Sequence, residues 1–183
     1  MQQHWVFGYG SLMWRPGFDF VRQSHARIQN YHRALCIYSF HHRGTEEKPG
    51  LVLGLDAGGS CDGVAFQVAP QAWEATLGYL RAREQISMVY SETTQAVELL
   101  DTGEKIEALV YVANRDHDQY AGKLSHGRLM ELVQQGEGQS GRCTDYVLNT
   151  LAHLKEMDIR DAMLERLSTA LRGDVSGGVK PVG

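Results

Sequence analysis

The sequence predicts an α+β fold: a small mixed or antiparallel β-barrel flanked by helices, in a single domain over residues 1–172 with a mobile tail at 173–183. Three observations predict it. Strand-like runs punctuated by glycine turns fill most of the chain up to Ala113. One amphipathic helix, Pro70 to Glu84, is embedded among them. After Asn114 the apolar spacing changes to the helical period and stays there.

Each element follows from local sequence. Trp5 to Phe7 is a short apolar run that enters Gly8-Tyr-Gly-Ser-Leu12, so a buried strand is expected to stop in a tight loop. Ala26 to Phe40 alternates loosely through Tyr31, Leu35 and Ile37, a strand that ends at the polar His41-His-Arg-Gly-Thr. Gly50 to Asp56 and Asp62 to Val68 read as two strands, with Ala57-Gly-Gly-Ser60 as a hairpin turn between them. Pro70 opens the embedded helix, where its missing N–H costs little. Ser87 to Leu100 and Ile106 to Ala113 form a second hairpin about Asp101-Thr-Gly103. Three helices follow at Leu124–Gln135, Thr144–Met157 and Asp161–Leu171. Ser140 or Thr144 is the expected cap of the second, Val147, Leu151 and Leu154 its buried face, and Gly173 the stop of the third.

Composition narrows the function. The chain has 183 residues, enough to bury a real core, and 43% of them are apolar. A net charge of −4 and the lack of any long basic run argue against a nucleic-acid partner. No segment is long and apolar enough to cross a membrane, and the first residues do not resemble a secretory signal. Cys36, Cys61 and Cys143 are widely spaced and odd in number, which suits a reduced cytoplasmic protein. Nothing demands a partner subunit, so a monomer is the simplest expectation.

Two stretches carry candidate chemistry. Glycines at positions 8 and 10 let backbone N–H groups approach a ligand, and such a loop suits a carboxylate or a developing oxyanion. An ordinary strand-to-loop turn accounts for the same residues. In the embedded helix, Trp73, Leu77 and Leu80 have the spacing of a buried stripe. Glu84 lies eleven residues after Trp73, which returns it to within about 20° of that face. Desolvation there raises a carboxylate's pKa, as a general base working near neutrality requires. An ion pair with Arg81 or Arg83 is the structural alternative. The remaining signals are weaker: His41-His42-Arg43 lacks a third metal ligand, so no metal and no cofactor are expected. Cys36 reads as a core residue, Gly136 to Arg142 as a loop into the following helix, and Tyr111 and Tyr146 as half-buried aromatics.

Taken together the landmarks resemble a known family. Phe7-Gly-Tyr-Gly-Ser-Leu-Met-Trp-Arg-Pro-Gly-Phe18, His42-Arg-Gly, Pro49-Gly50, Gly63-Val-Ala-Phe, Arg83-Glu84, and Gly138-Gln-Ser-Gly-Arg142 with Tyr146 occur in the order found in the ChaC family of γ-glutamylcyclotransferases. The resemblance spans roughly residues 5 to 165. It implies the γ-glutamylcyclotransferase-like barrel and the cleavage of glutathione to 5-oxoproline and cysteinylglycine. The family's substrate loop falls on Tyr9, Gly10, Ser11 and Leu12, and its catalytic glutamate on Glu84. Tyr146 and Tyr111 are expected to orient the substrate's carboxylates, and Arg43 to lie near the site. Many members continue after the glutamate with Gly-Gly-Tyr, whereas here Gln85-Ile-Ser-Met-Val-Tyr90 follows. The expected alternatives are the same reaction on another γ-glutamyl amine or amino acid, or a non-catalytic binding or regulatory module.

Overall fold

The structure, a computed structural model, describes residues 2–84 and 88–176. The chain divides into two compact units, Met1–Ile37 with Leu53–Gly122, and Tyr38–Val52 with Lys123–Gly183.

The strands form a closed five-stranded barrel in the order β1-β3-β2-β4-β5, all of it in the first unit but the end of β2 and the start of β3. Its strands are β1 (His4–Gly8), β2 (Arg22–Ser39), β3 (Gly50–Val68), β4 (Tyr90–Leu99) and β5 (Lys105–Ala113). The expected strand of Trp5 to Phe7 is β1, and all three residues are buried. β1 runs antiparallel to β3, from His4 opposite Val68 to Gly8 opposite Val64. It closes the barrel by a parallel pairing of Val6 with Leu109 on β5. β4 and β5 form the expected hairpin, with Gly103 at φ +74° in its turn. The strand start expected at Ser87 lies outside the described residues.

One expected hairpin is corrected. Gly50 to Val68 is a single strand, and Gly58 and Gly59, at φ +103° and +71°, bend it without reversing it. β3 lies between β1 and β2: residues 64–68 pair with β1, while about the glycines His32 Nδ1 of β2 lies 2.9 Å from the Gly58 carbonyl oxygen and Arg33 of β2 donates to the Asp62 carbonyl. A bend at the glycines lets one strand serve both as the barrel curves. Near its far end Gly63 permits a close approach, because a Cβ there would stand 2.3 Å from the Gly8 carbonyl oxygen.

The embedded helix packs on this barrel. A 3-10 turn at Pro70–Ala72 leads into α1 (Trp73–Glu84). The Trp73 ring stacks on His4 at 4.6 Å, and Leu80 is fully buried among Val6, Leu12, Val68, Leu109 and Tyr111. Trp73 and Leu77 are half-buried against the same cluster, so the stripe is real but only its Leu80 end is sealed from water.

The second unit holds α2 (His126–Gln135), α3 (Cys143–Glu156) and α4 (Ala162–Ser176). Val147, Leu151 and Leu154 of α3 are buried as expected, with Leu132, Leu164 and Leu167 from its neighbours. Ser125 caps α2 by accepting from the Arg128 N–H. The cap of α3 is neither Ser140 nor Thr144: Arg142 occupies that position without a side-chain cap bond. Gly136 to Arg142 is more ordered than a loop. Glu137–Gly138 and Gly141–Arg142 pair as a short ladder, β6 and β7, and the N–H groups of Gln139 and Ser140 donate to the carbonyls of His41 and His42. Gly173 does not stop α4, which continues to Ser176; an internal glycine costs a helix only about 1 kcal/mol. Of the tail expected at 173–183, residues 173–176 are part of α4 and the rest lies outside the described residues.

Candidate active site

The first unit brings Tyr9 to Leu12, Glu84 and Tyr111 into one neighbourhood. Leu12, Leu80 and Tyr111 share the apolar cluster, so the glycine loop, the last turn of α1 and β5 meet there. Glu84 is the final residue of α1, one turn beyond the buried Leu80. Its side chain is 17% exposed. Burial pushes its carboxyl above the ordinary glutamate range, and the neighbouring Arg83 guanidinium opposes that rise without cancelling it.

Arg83 ties the helix to the loop. Its Nη2 donates to the Ser11 hydroxyl at 2.7 Å, while its Nη1 donates to the Arg15 carbonyl at 2.7 Å and to the Tyr79 hydroxyl at 3.0 Å. Its Nε lies 3.5 Å from Glu84 Oε1. One guanidinium therefore contacts both the loop serine and the carboxylate. Arg81 does not pair with Glu84; its fork grips Glu92 on β4 with two 3.0 Å bonds. Glu92 in turn accepts from the Tyr111 hydroxyl at 2.8 Å. Burial, then that hydrogen bond, raises the Tyr111 pKa, which keeps the phenol protonated at working pH.

The carbonyls of Tyr9, Gly10 and Ser11 all have donors. Gly10 O accepts from the Met13 N–H at 2.9 Å and Ser11 O from the Arg15 N–H at 2.8 Å. Tyr9 O accepts from Arg33 Nε at 2.6 Å. Sequence reasoning missed Arg33, Glu92 and the hydroxyl of Tyr90, which donates to the Leu53 carbonyl at 2.7 Å. The signal for Arg33 was present, because it shares the odd-numbered face of β2 with Tyr31, Leu35 and Ile37.

Arg43 and Tyr146 belong to the second unit, where the Arg43 guanidinium lies over the Tyr146 ring at 5.5 Å. Arg43 Nη1 also donates to the Arg142 carbonyl at 3.2 Å. His42 Nδ1 lies 3.1 Å from the Ser140 hydroxyl. Among the described residues no group of three His, Cys, Asp or Glu side chains is placed to hold a metal ion. All three cysteines are buried; burial pushes the Cys36 thiol up to about 12, far from the thiolate a nucleophile needs.

The closed five-stranded barrel with its helices is the γ-glutamylcyclotransferase-like fold. Two crystal structures of a yeast γ-glutamyl cyclotransferase specific to glutathione superpose on the chain with TM-scores of 0.81 and 0.79, at 20% and 19% identity. The superpositions cover 94% of this chain and 97% and 99% of the yeast chains. The chain belongs to the ChaC-like protein family, whose pattern matches residues 4–173. Relatives include the glutathione-specific gamma-glutamylcyclotransferase of Escherichia coli K12, 30% identical over 92% of this chain and 72% of the relative. Glutathione-specific gamma-glutamylcyclotransferase 1 of Danio rerio is 33% identical over 91% of this chain and 88% of its own length.

Proposed function

We propose that the protein cleaves glutathione to 5-oxoproline and cysteinylglycine. The observation that carries the reading is Glu84: a carboxylate only 17% exposed, one turn beyond the buried Leu80, with its pKa raised by burial and with Arg83 reaching both it and the loop's Ser11. The family relationship supports the same chemistry.

The substrate supplies its own nucleophile. Its α-ammonium gives a proton to the Glu84 carboxylate, and the freed nitrogen attacks the γ-amide carbon, closing a five-membered ring. The protonated Glu84 then donates to the departing nitrogen as the amide C–N bond breaks; the second proton, shed by the ring nitrogen, passes by the same carboxylate to the departing amine, which leaves as an ammonium, so the carboxylate returns to its starting state. Because both reacting groups lie in one molecule, the protein's main task is to hold the bent conformer. The N–H groups of the Tyr9–Leu12 loop are assigned to the γ-glutamyl end and the tetrahedral oxyanion. Tyr111, whose hydroxyl donates its one proton to Glu92 in the structure, is assigned to turning that hydroxyl to a substrate carboxylate. No step needs a metal or cofactor. We assign the protein a reducing, cytoplasmic setting, which the burial of all three cysteines supports, and an activity that needs neither nucleic acid nor membrane.

A substrate panel tests the reading. Glutathione, γ-glutamyl dipeptides and γ-glutamyl amines are each incubated with the protein, and 5-oxoproline is quantified. Release from glutathione well above the rest is expected. Preference for another γ-glutamyl compound would move the substrate while keeping the reaction, and a silent panel would favour a binding module.

A further inference from the structure

The carbonyl of Tyr9 takes its donor from a strand, β2. Its neighbours are served locally, Gly10 O by Met13 and Ser11 O by Arg15. Arg33 is 7% exposed. From β2 it reaches Tyr9 O with Nε at 2.6 Å and Asp62 O on β3 with Nη2 at 2.7 Å. A single planar fork thus joins the loop after β1 to the two strands beside it.

The consequence lies in the peptide plane. In a trans peptide the C=O of one residue and the N–H of the next point in opposite directions. Holding Tyr9 O against Arg33 therefore turns the Gly10 N–H to the other side of the loop. Glycine at position 10 makes this orientation vulnerable, because a residue without Cβ lets the preceding peptide flip at little cost. A flipped peptide would present an oxygen where the γ-glutamyl end of the substrate needs a donor.

We infer that Arg33 is a positioning residue for the substrate loop: by pinning the Tyr9 carbonyl between β2 and β3 it fixes the Gly10 N–H as a donor to the substrate. The inference rests on the proposed cyclotransferase reading for its kinetic part, and on the loop geometry alone for its spectroscopic part.

The test compares wild type, Arg33→Lys and Arg33→Gln. Thermal melting gives the folded fraction, kinetics with glutathione give kcat and KM, and ¹⁵N–¹H spectra report the Gly10 amide. Loss of a fixed donor near the reacting carbonyl is expected to lower kcat/KM by about 10- to 100-fold in Arg33→Gln. Arg33→Lys, which keeps one donor but not the fork, should fall between that variant and wild type. The Gly10 resonance should shift or broaden in both, whereas the acid limb of kcat/KM should keep its pH, because Arg33 acts on the loop and not on Glu84. Wild-type kcat/KM in both folded variants would overturn the inference. So would a loss that disappears on dividing by folded fraction, or an unmoved Gly10 resonance. If wild type itself left glutathione intact, the functional reading would fall, and the Gly10 spectra would still decide whether Arg33 sets the loop.

Discussion

Glu84 carries opposite consequences for chemistry and for stability. Burial raises its pKa, so the ionised form needed to accept a proton is the form the fold disfavours. A carboxyl whose folded pKa is raised contributes stability below its unfolded pKa, and that contribution is lost as pH rises through the folded pKa. Replacing Glu84 by Gln should therefore leave Tm at or above the wild-type value at pH 7, with the gap closing toward pH 4. A lower Tm at pH 7 would mean that the Arg83 contact outweighs the desolvation. For catalysis the sign reverses: kcat/KM should fall as acid protonates Glu84 in the free protein, with the limb lying above the pKa of about 4.3 of a free glutamate. A flat profile down to pH 4 would contradict that role. Ser11 is a different case. Its hydroxyl is engaged as an acceptor from Arg83, and the loop carbonyls are fixed independently, so Ser11→Ala should reduce kcat/KM by only about three- to tenfold. Inactivity on the scale of a Glu84 variant would show that the hydroxyl itself takes part.

Among the secondary-structure elements, the close approach of β1 and β3 fixes where the glycine loop leaves the barrel. Gly63 makes that approach possible, and an added Cβ would meet backbone, which cannot turn aside as a side chain can. Gly63→Ala should cost about 1–3 kcal/mol, read by denaturant unfolding, and should lower activity more than the unfolded fraction explains. Unchanged stability would mean that the strands part freely. Legibility follows the same scale. Trp5–Phe7 and the Gly103 turn were readable because neighbouring residues decide them. Gly58-Gly59 was not, since whether two glycines bend a strand or reverse it depends on which strands lie beside each half. The cap of α3 was misplaced for a related reason: backbone pairing between β6 and β7 settles the chain before Ser140 or Thr144 can serve.

For the molecule as a whole, acid stability combines groups that pull in opposite directions. Asp56 is 7% exposed on its side chain. Burial pushes its pKa up, but hydrogen bonds from Tyr120, Arg115 and the Ala57 N–H together outweigh that and hold it below the ordinary range. Its stabilisation is therefore present above the unfolded pKa and lost as pH falls through the folded one, opposite to Glu84. Asp56→Asn should cost about 1.5–3 kcal/mol at pH 7 and shrink in effect at acid pH; an effect that grew with acid would contradict the sign. None of this network was visible in the sequence, because Asp56, Arg115 and Tyr120 are brought together only by the barrel. Glu84 was visible, since helical periodicity alone puts it on the buried face, and the family landmarks gave it a role.

The most direct test of the account is to incubate wild type and Glu84→Gln with glutathione, after chelation of metals, and to follow 5-oxoproline and cysteinylglycine by mass spectrometry. Equal amounts of both products from wild type, and a rate at least about 100-fold lower from a folded Glu84→Gln, are predicted. Turnover by the variant within a few-fold of wild type would remove Glu84 from the mechanism, and its proton-shuttle role with it.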